Sequence, residues 1–369
     1  MYKFFEVRNF RCFHELTLNN LELINVIAGK NNVGKTAFLE AMYLHCGAYN
    51  PALTLNLNAF RGIETFKIEP GRWTESPWDL LFYQFEINKD IELRGEDTVT
   101  GHRSLRLKVL REPDELAAMP HFARRRPETN KTSIGFGQFP ELPATSETAK
   151  ILRLEYRQDQ QQSSYNLILD PTGIHVEPIP PAPPFPAFFL PARLRIPAIE
   201  DAEHFGKLEI VRKQDLVLQA LQVVEPRLKR LAMVILAGQP VLHGDIGAAR
   251  LIPLPVMGEG LVRLASLILK IGNAANGVIL VDEIENGLHH SILPSVWRVI
   301  GEAALAFNTQ VFATTHSLEC IVAAHRAFSE SGHYNFRLHR LERVNDKIHA
   351  VTYDQETLEA AIETGLEVR

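Results

Sequence analysis

The sequence predicts an α/β fold in which strands of a parallel sheet carry a phosphate-binding site at their carboxyl ends. Three observations predict it. Gly29-Lys30-Asn31-Asn32-Val33-Gly34-Lys35-Thr36 matches G-x-x-x-x-G-K-[ST] and stands between a buried-strand pattern, Leu23 to Ala28, and a helical pattern, Lys35 to Cys46. Val278-Ile279-Leu280-Val281 is a continuous apolar run, as expected of a strand buried on both faces, and it ends in Asp282-Glu283. Thr309 to Ala313 is another β-like segment, ending at Thr314-Thr315-His316-Ser317. Open α/β sheets bind ligands beyond the carboxyl ends of their strands, where all three polar clusters fall.

Composition bounds the rest. A chain of 369 residues has room for two or three average domains or for one large α/β domain with insertions, and the second is the reading adopted. Apolar residues at 46% and charged residues at 22% exclude disorder throughout. A net charge of -5 gives an overall nucleic-acid surface no support, although a local basic patch is compatible with it. Cys12, Cys46 and Cys320 are far apart and form no C-x-x-C, which points to a reducing cytosol and away from disulfides or zinc. Met1 to Arg11 mixes charge with aromatics, and no apolar run is long enough to span a bilayer, so the expectation is a cytoplasmic protein without a membrane partner.

In chain order, Tyr2 to Val7 and Leu16 to Leu18 read as strands around the turn Asn9 to Phe13, where Arg11 is either a phosphate contact or a solvated turn residue. In the phosphate loop, the glycines let Asn31, Asn32 and Gly34 turn backbone N–H groups inward around phosphate oxygens at the positive end of the next helix. Lys35 then reaches the β- and γ-phosphates, and Thr36 offers its hydroxyl to Mg²⁺. A chance glycine turn is the alternative. Residues 51–196 read as a β-rich accessory insertion with strands at Leu80 to Ile87, Leu105 to Leu110, Ile151 to Tyr156 and Tyr165 to Leu169. Gln84 is there as a metal-sensing glutamine or as an exposed strand residue. A mobile loop is expected over 112–148, with the run Arg124-Arg125-Arg126 better explained as a solvated loop than as a nucleic-acid contact. The proline-rich stretch 177–191 reads as an extended connector outside the core.

Residues 197–256 read as a helical lid, with Glu200 to Val224 at helical spacing, Arg227 to Leu236 following as another strand or helix, and no heptads for a long coiled coil. Gly258-Glu259-Gly260 opens an amphipathic helix carrying Leu261, Leu264, Leu267, Ile268 and Ile271, and forms a second candidate phosphate site or a plain tight turn. Residues 1–50 and 257–369 would then be the two halves of the core. Tyr334 to Leu341 and Lys347 to Tyr353 close it as a strand pair, followed by a helix at Glu356 to Thr364.

Taken together, Lys35 and Thr36 bind phosphate and metal, Asp282 holds Mg²⁺, Glu283 polarises the attacking water and His316 reads the γ-phosphate. A carboxylate bound to the metal is a poor base, whereas its neighbour stays free to orient water.

On Asn9-Phe10-Arg11, Gly29 to Thr36, Met257 to Gly260, Asp282-Glu283-Ile284-Glu285-Asn286-Gly287-Leu288-His289 and Thr314 to Ser317, the chain resembles ATP-binding-cassette type ATPases of the SMC and OLD (overcoming lysogenization defect) group. The resemblance covers both ends and leaves the middle unmatched. It implies a P-loop NTPase of ABC-ATPase type: a mixed central sheet flanked by helices, an antiparallel β layer and a helical subdomain. It also implies ATP and Mg²⁺ as cofactors, and a homodimer, or a higher oligomer, arranged head to tail. Each ATP would be clamped between one chain's phosphate loop and the other's signature helix, with Glu285 to His289 crossing the interface. Gly258-Glu259-Gly260 departs from Leu-Ser-Gly-Gly-Gln by lacking the serine hydroxyl, which leaves the contact to backbone N–H groups. The use implied is an ATP-hydrolysing switch in a bacterial defence or toxin-like system, with a protein effector encoded nearby. A RecF-like DNA repair ATPase is the alternative. The acids after His316, Asp346 and Asp354 among them, show no pairing at a buried strand end, so no nuclease activity is expected of this chain.

Overall fold

The computed structural model describes residues 1–63, 76–111, 150–170, 173–192 and 197–369. Strands β1 (Tyr2–Phe10) and β2 (Phe13–Leu18) form a hairpin that leads into β3 (Ile24–Gly29) and helix α1 (Lys35–Cys46). After α2 (Leu53–Phe60) come β4 (Ile91–Asp97), β5 (Gly101–Leu110), β6 (Lys150–Gln158), β7 (Gln161–Asp170) and β8 (Gly173–Glu177). These join the hairpin in a seven-stranded sheet, β2-β1-β4-β5-β6-β7-β8, with every pairing antiparallel. Along β4 and β5 buried and open residues alternate, as in a sheet that covers a core on one face only.

The second sheet is built from β3, β9 (Ala187–Leu190), β13 (Val278–Val281), β14 (Gln310–Thr314), β15 (Phe336–Val344) and β16 (Lys347–Tyr353). Its order is β16-β15-β3-β14-β13-β9, with only β16 antiparallel to its neighbour. Every residue of β3, β13 and β14 is buried, because both faces are covered. On one face lies α1. On the other lie α3 (Ala198–Ile210), α4 (Gln214–Gln222), α5 (Glu259–Asn273), α6 (Leu293–Phe307) and α7 (Leu318–Glu330), with α8 (Gln355–Glu363) beside α7, β15 and β16.

Helix α1 therefore sits between the two sheets. Phe38, Leu39, Ala41, Met42 and Leu44 share a core with Phe5 and Leu93 of the antiparallel sheet and with Ile27, Leu280 and Phe312 of the mixed sheet. Except for Lys35, Thr36 and Tyr43 the helix is buried throughout, so it lacks the single apolar stripe of a surface helix. This α/β arrangement, with a mixed central sheet, flanking helices and an antiparallel layer, is the predicted class.

Three expectations are corrected. Leu80 to Ile87 is no strand: it forms two short 3₁₀ turns, Asp79–Leu81 and Tyr83–Phe85, with Gln84 and Phe85 at positive φ. Leu81 and Phe82 are buried in succession, which a one-sided strand cannot achieve, and Leu81 O accepts from Arg11 N at 2.7 Å. The proline-rich stretch is not wholly outside the core, since Ala187–Leu190 is the edge strand of the mixed sheet, parallel to β13. It is free of proline, and an edge position tolerates Pro186 and Pro191 at its ends. Finally, 197–256 is not helical alone: β10 (Arg230–Leu236), where the strand alternative for Arg227 to Leu236 holds, β11 (Gln239–Asp245) and β12 (Ile252–Pro253) add a small antiparallel sheet. Strand β4 and helix α2 are further elements that the sequence reading passes over. The predicted loop 112–148, with Arg124, Arg125 and Arg126, lies outside the described residues. Among those described, no helix is long and apolar enough to cross a membrane.

Candidate active site

The mixed sheet puts the carboxyl ends of β3, β13 and β14 side by side, because Ala313 pairs with Val26 on one side and Val281 on the other. Each strand then delivers its polar cluster to one crevice. Gly34, at φ 100°, turns the chain from the loop into α1. No side chain fits there, since a Cβ would lie 2.6 Å from Cys12 Sγ and 2.7 Å from Phe13 Cζ. The helix begins at Lys35 without a side-chain cap, so its first N–H groups stay available to an anion.

A cavity of about 870 Å³ opens over this loop. Asn31, Asn32, Gly34, Lys35, Thr36, Asp282, Glu283 and Arg11 line it, so most of the predicted site residues meet in one place. Gln84 lines it too, from a turn and not from a strand. Phe60, Phe82, Phe85 and Phe189 give it an aromatic side. The volume and the mixed lining suit a nucleotide-sized ligand.

Asp282 accepts from Thr36 Oγ1 at 3.0 and 3.1 Å and from Thr314 Oγ1 at 2.7 Å. Burial pushes its carboxyl up from the usual range, and the two hydroxyls pull the other way. A cation placed here would relieve that cost. Lys35 Nζ donates to the carbonyls of Gly29 (2.7 Å) and Lys30 (3.0 Å), inside its own loop. Burial lowers its pKa, while Asp282 and Glu283 raise it. Glu283 sits at φ 49°, unusual for a residue with a side chain, and its N–H donates to Thr314 Oγ1 at 2.8 Å. Its Oε2 accepts from Asn286 Nδ2 at 2.8 Å. Strained backbone of this kind concentrates at functional sites.

Arg11 is not solvated: its side chain is 11% exposed, and its Nε donates to Glu40 at 3.1 Å. His316 stands apart from the cavity lining. Half-exposed, it has Nδ1 at 3.2 Å from Glu285 Oε1, which also accepts from Thr315 Oγ1 (2.8 Å) and His316 N (3.0 Å). Gly258, Glu259 and Gly260 do not line the cavity either. They form the start of α5, where a Cβ on Gly260 would run into the Gly287 carbonyl oxygen.

Sequence reasoning missed Arg263, Glu40 and Arg61. Arg263, on α5, donates through Nη2 to the carbonyl oxygens of Asp282 and Glu283, the latter at 2.9 Å, and so ties the helix to the strand-end acids. Its spacing of three from Gly260 places both on one helix face, which was the available signal. The described acids after His316 gather into no metal cluster, and Asp354 is the N-cap of α8.

Known proteins agree with this architecture. The crystal structure of the SmcHead bound to the C-winged helix domain of ScpA superposes with a TM-score of 0.50 at 11% identity, covering 98% of this chain and 99% of that one, so the chain shares the fold of that SMC head. An "ATP/GTP phosphatase" of Helicobacter pylori is 22% identical over 96% of this chain and 95% of its own. An uncharacterized protein of Methanocaldococcus jannaschii is 52% identical over 42 residues, 11% of this chain and 19% of that protein. The family described as "AAA domain, putative AbiEii toxin, Type IV TA system" matches residues 24–321, most of the chain, and the protein belongs to that family.

Proposed function

We propose that the protein is a Mg²⁺-dependent ATPase that works as a molecular switch, closing a head-to-tail homodimer around ATP. The observation that carries this reading is the convergence of Thr36, Asp282 and Thr314 within 3.1 Å beside Lys35 in a nucleotide-sized cavity. Thr36 and Asp282 are oxygen donors suited to Mg²⁺, which would supply charge neutralisation at the phosphates. In this reading Lys35, Arg11 and the N–H groups of Asn31, Asn32 and Gly34 bind the phosphate chain. Glu283, steadied by Asn286, orients the water and takes its proton. His316 contacts the γ-phosphate from the β14 end.

The start of α5 supports the dimer reading. Gly258 to Gly260 carry a helix N-terminus but stay outside their own chain's cavity, so a second copy is needed to bring them to a γ-phosphate. The Helicobacter pylori relative's name supports nucleotide hydrolysis. The family's toxin description supports a defence or toxin-like setting, for which we propose a cytoplasmic location and a protein effector, and Asp282-Glu283-Ile284-Glu285-Asn286-Gly287-Leu288-His289 supports an OLD-like assignment within it. The test is phosphate release from ATP with and without Mg²⁺. Metal-dependent release that is lost in Asp282→Asn is expected; release unaffected by EDTA would contradict the assignment.

A further inference from the structure

Glu40 lies on α1 four residues after Thr36 and has no solvent exposure. Its carboxylate accepts from Arg11 Nε at 3.1 Å and from Arg61 Nε and Nη2 at 2.6 and 2.9 Å. The arginines come from unrelated places: Arg11 from the β1–β2 turn, Arg61 from the residue that ends α2. A buried carboxylate needs a cation nearby. Two exceed its charge by one unit, and both arginines line the cavity.

The donor count points the same way. Arg11 Nη1 donates to Leu80 O at 3.1 Å, while Nη2 is buried and has no partner among the described residues. Burial lowers the pKa of this guanidinium, against the pull of Glu40. An unmatched buried donor is costly unless a ligand supplies the acceptor. Arg61 gives one edge of its fork to Glu40 and remains 40% exposed at the cavity wall. Four residues of helix span about 6 Å, so the arginines stand beside the phosphate loop, within reach of a nucleotide's phosphate chain. A guanidinium pinned by a carboxylate along one edge keeps its orientation and presents its other edge to a phosphate oxygen.

We propose that Glu40 is a positioning residue that aims Arg11 and Arg61 at the phosphate chain, and that Arg61 is a phosphate-binding residue in addition to Lys35 and Arg11. This rests on reading the cavity as a nucleotide site. A carboxylate that only stapled α1 to α2 and the β1–β2 turn would affect stability and leave ligand affinity alone.

The experiment is equilibrium binding of Mg-ATP and of Mg-tripolyphosphate to wild type, Arg61→Gln, Arg61→Lys and Glu40→Gln at two salt concentrations, with melting temperatures recorded. Arg61→Gln should weaken both ligands about tenfold or more and flatten the salt dependence, and Arg61→Lys should recover part of the loss. Glu40→Gln should weaken both ligands as well, and a variant carrying both Glu40→Gln and Arg61→Gln, measured beside the single ones, should lose less than the sum, since Glu40 acts through the arginines. If Glu40→Gln does not fold, the two Arg61 variants decide, because that side chain is partly exposed. Wild-type affinity in Arg61→Gln, or a loss for ATP without a loss for tripolyphosphate, would overturn the assignment. A wild type that binds neither ligand would remove the nucleotide reading itself, and this inference with it.

Discussion

Lys35 and Glu283 divide binding from chemistry. Lys35 sits in the phosphate loop and offsets ligand charge in the ground state, whereas Glu283, held by Asn286 and Thr314, is needed when water attacks. Lys35→Ala is expected to weaken ATP binding about tenfold to a hundredfold, the loss of a charge-assisted contact, in a titration with a fluorescent nucleotide. Glu283→Gln should bind ATP as wild type does and lose about a hundredfold or more in turnover. Equal turnover in Glu283→Gln and wild type would remove Glu283 from its role. Lys35, Thr36, Asp282 and Glu283 were legible in the sequence because each lies in a short local pattern at a strand end. Glu40, Arg61 and Arg263 were not, because their partners lie 19 or more residues away in the chain and only the fold supplies them. Buried histidines add a pH signature. Burial pushes His339 down to about 3 and His204 to about 4, and lowers His45 well below its ordinary 6.5. Each stays neutral in the fold while the unfolded chain takes up a proton, so their stabilisation is complete above pH 6.5 and is lost as pH falls towards the folded values. Asp201, raised by burial to about 6, acts in the opposite sense between its ordinary 3.8 and 6. The histidines lowered by burial, His325 among them, leave their ordinary range just in this window, against the opposite pull of the raised carboxyls of Asp90, Asp201 and Asp282, and predict a melting temperature that drops from pH 7 to pH 5; a flat profile would contradict it.

At the scale of elements, α5 joins two sites. Its first turn carries Gly258 to Gly260, and one turn later Arg263 donates to the backbone behind Asp282 and Glu283. Removing that guanidinium takes a donor from both carbonyls, of which Glu283 O keeps only Asn286 N, and loosens the acids without touching the phosphate loop. Arg263→Ala is therefore expected to lower kcat about tenfold to a hundredfold while ATP affinity changes by no more than about threefold. A steady-state assay beside a binding titration checks it, and an unchanged kcat would show that the contact is structural. The elements that build this site were also the most legible. Strands β3, β13 and β14 are short apolar runs buried on both faces, and α1 and α5 begin at glycines. Edges and turns were harder. Ala187–Leu190 becomes a strand only because Val278 to Val281 lies beside it, and the prolines around it hid that pairing. Leu80 to Ile87 has apolar residues at strand-like spacing, yet contacts to the β1–β2 turn shape it, through Arg11 N to Leu81 O and the Phe10–Phe82 bridge. Strand β4 alternates Ile91, Leu93 and Gly95 with charged residues, a pattern too polar to stand out alone.

For the whole molecule, the central proposal is that ATP controls association. One chain supplies the phosphate loop and the acids, and the start of α5 does not line that chain's own cavity, so in the proposed switch the site is complete only with a second copy. Ligand that binds the closed dimer better than the open monomer must shift the population towards the dimer, and blocking hydrolysis must hold it there. The most direct measurement is the mass of Glu283→Gln by light scattering without nucleotide, with Mg-ADP and with Mg-ATP. A monomer in the first two states and a dimer with Mg-ATP is the predicted result; one unchanged mass in all three would contradict the switch.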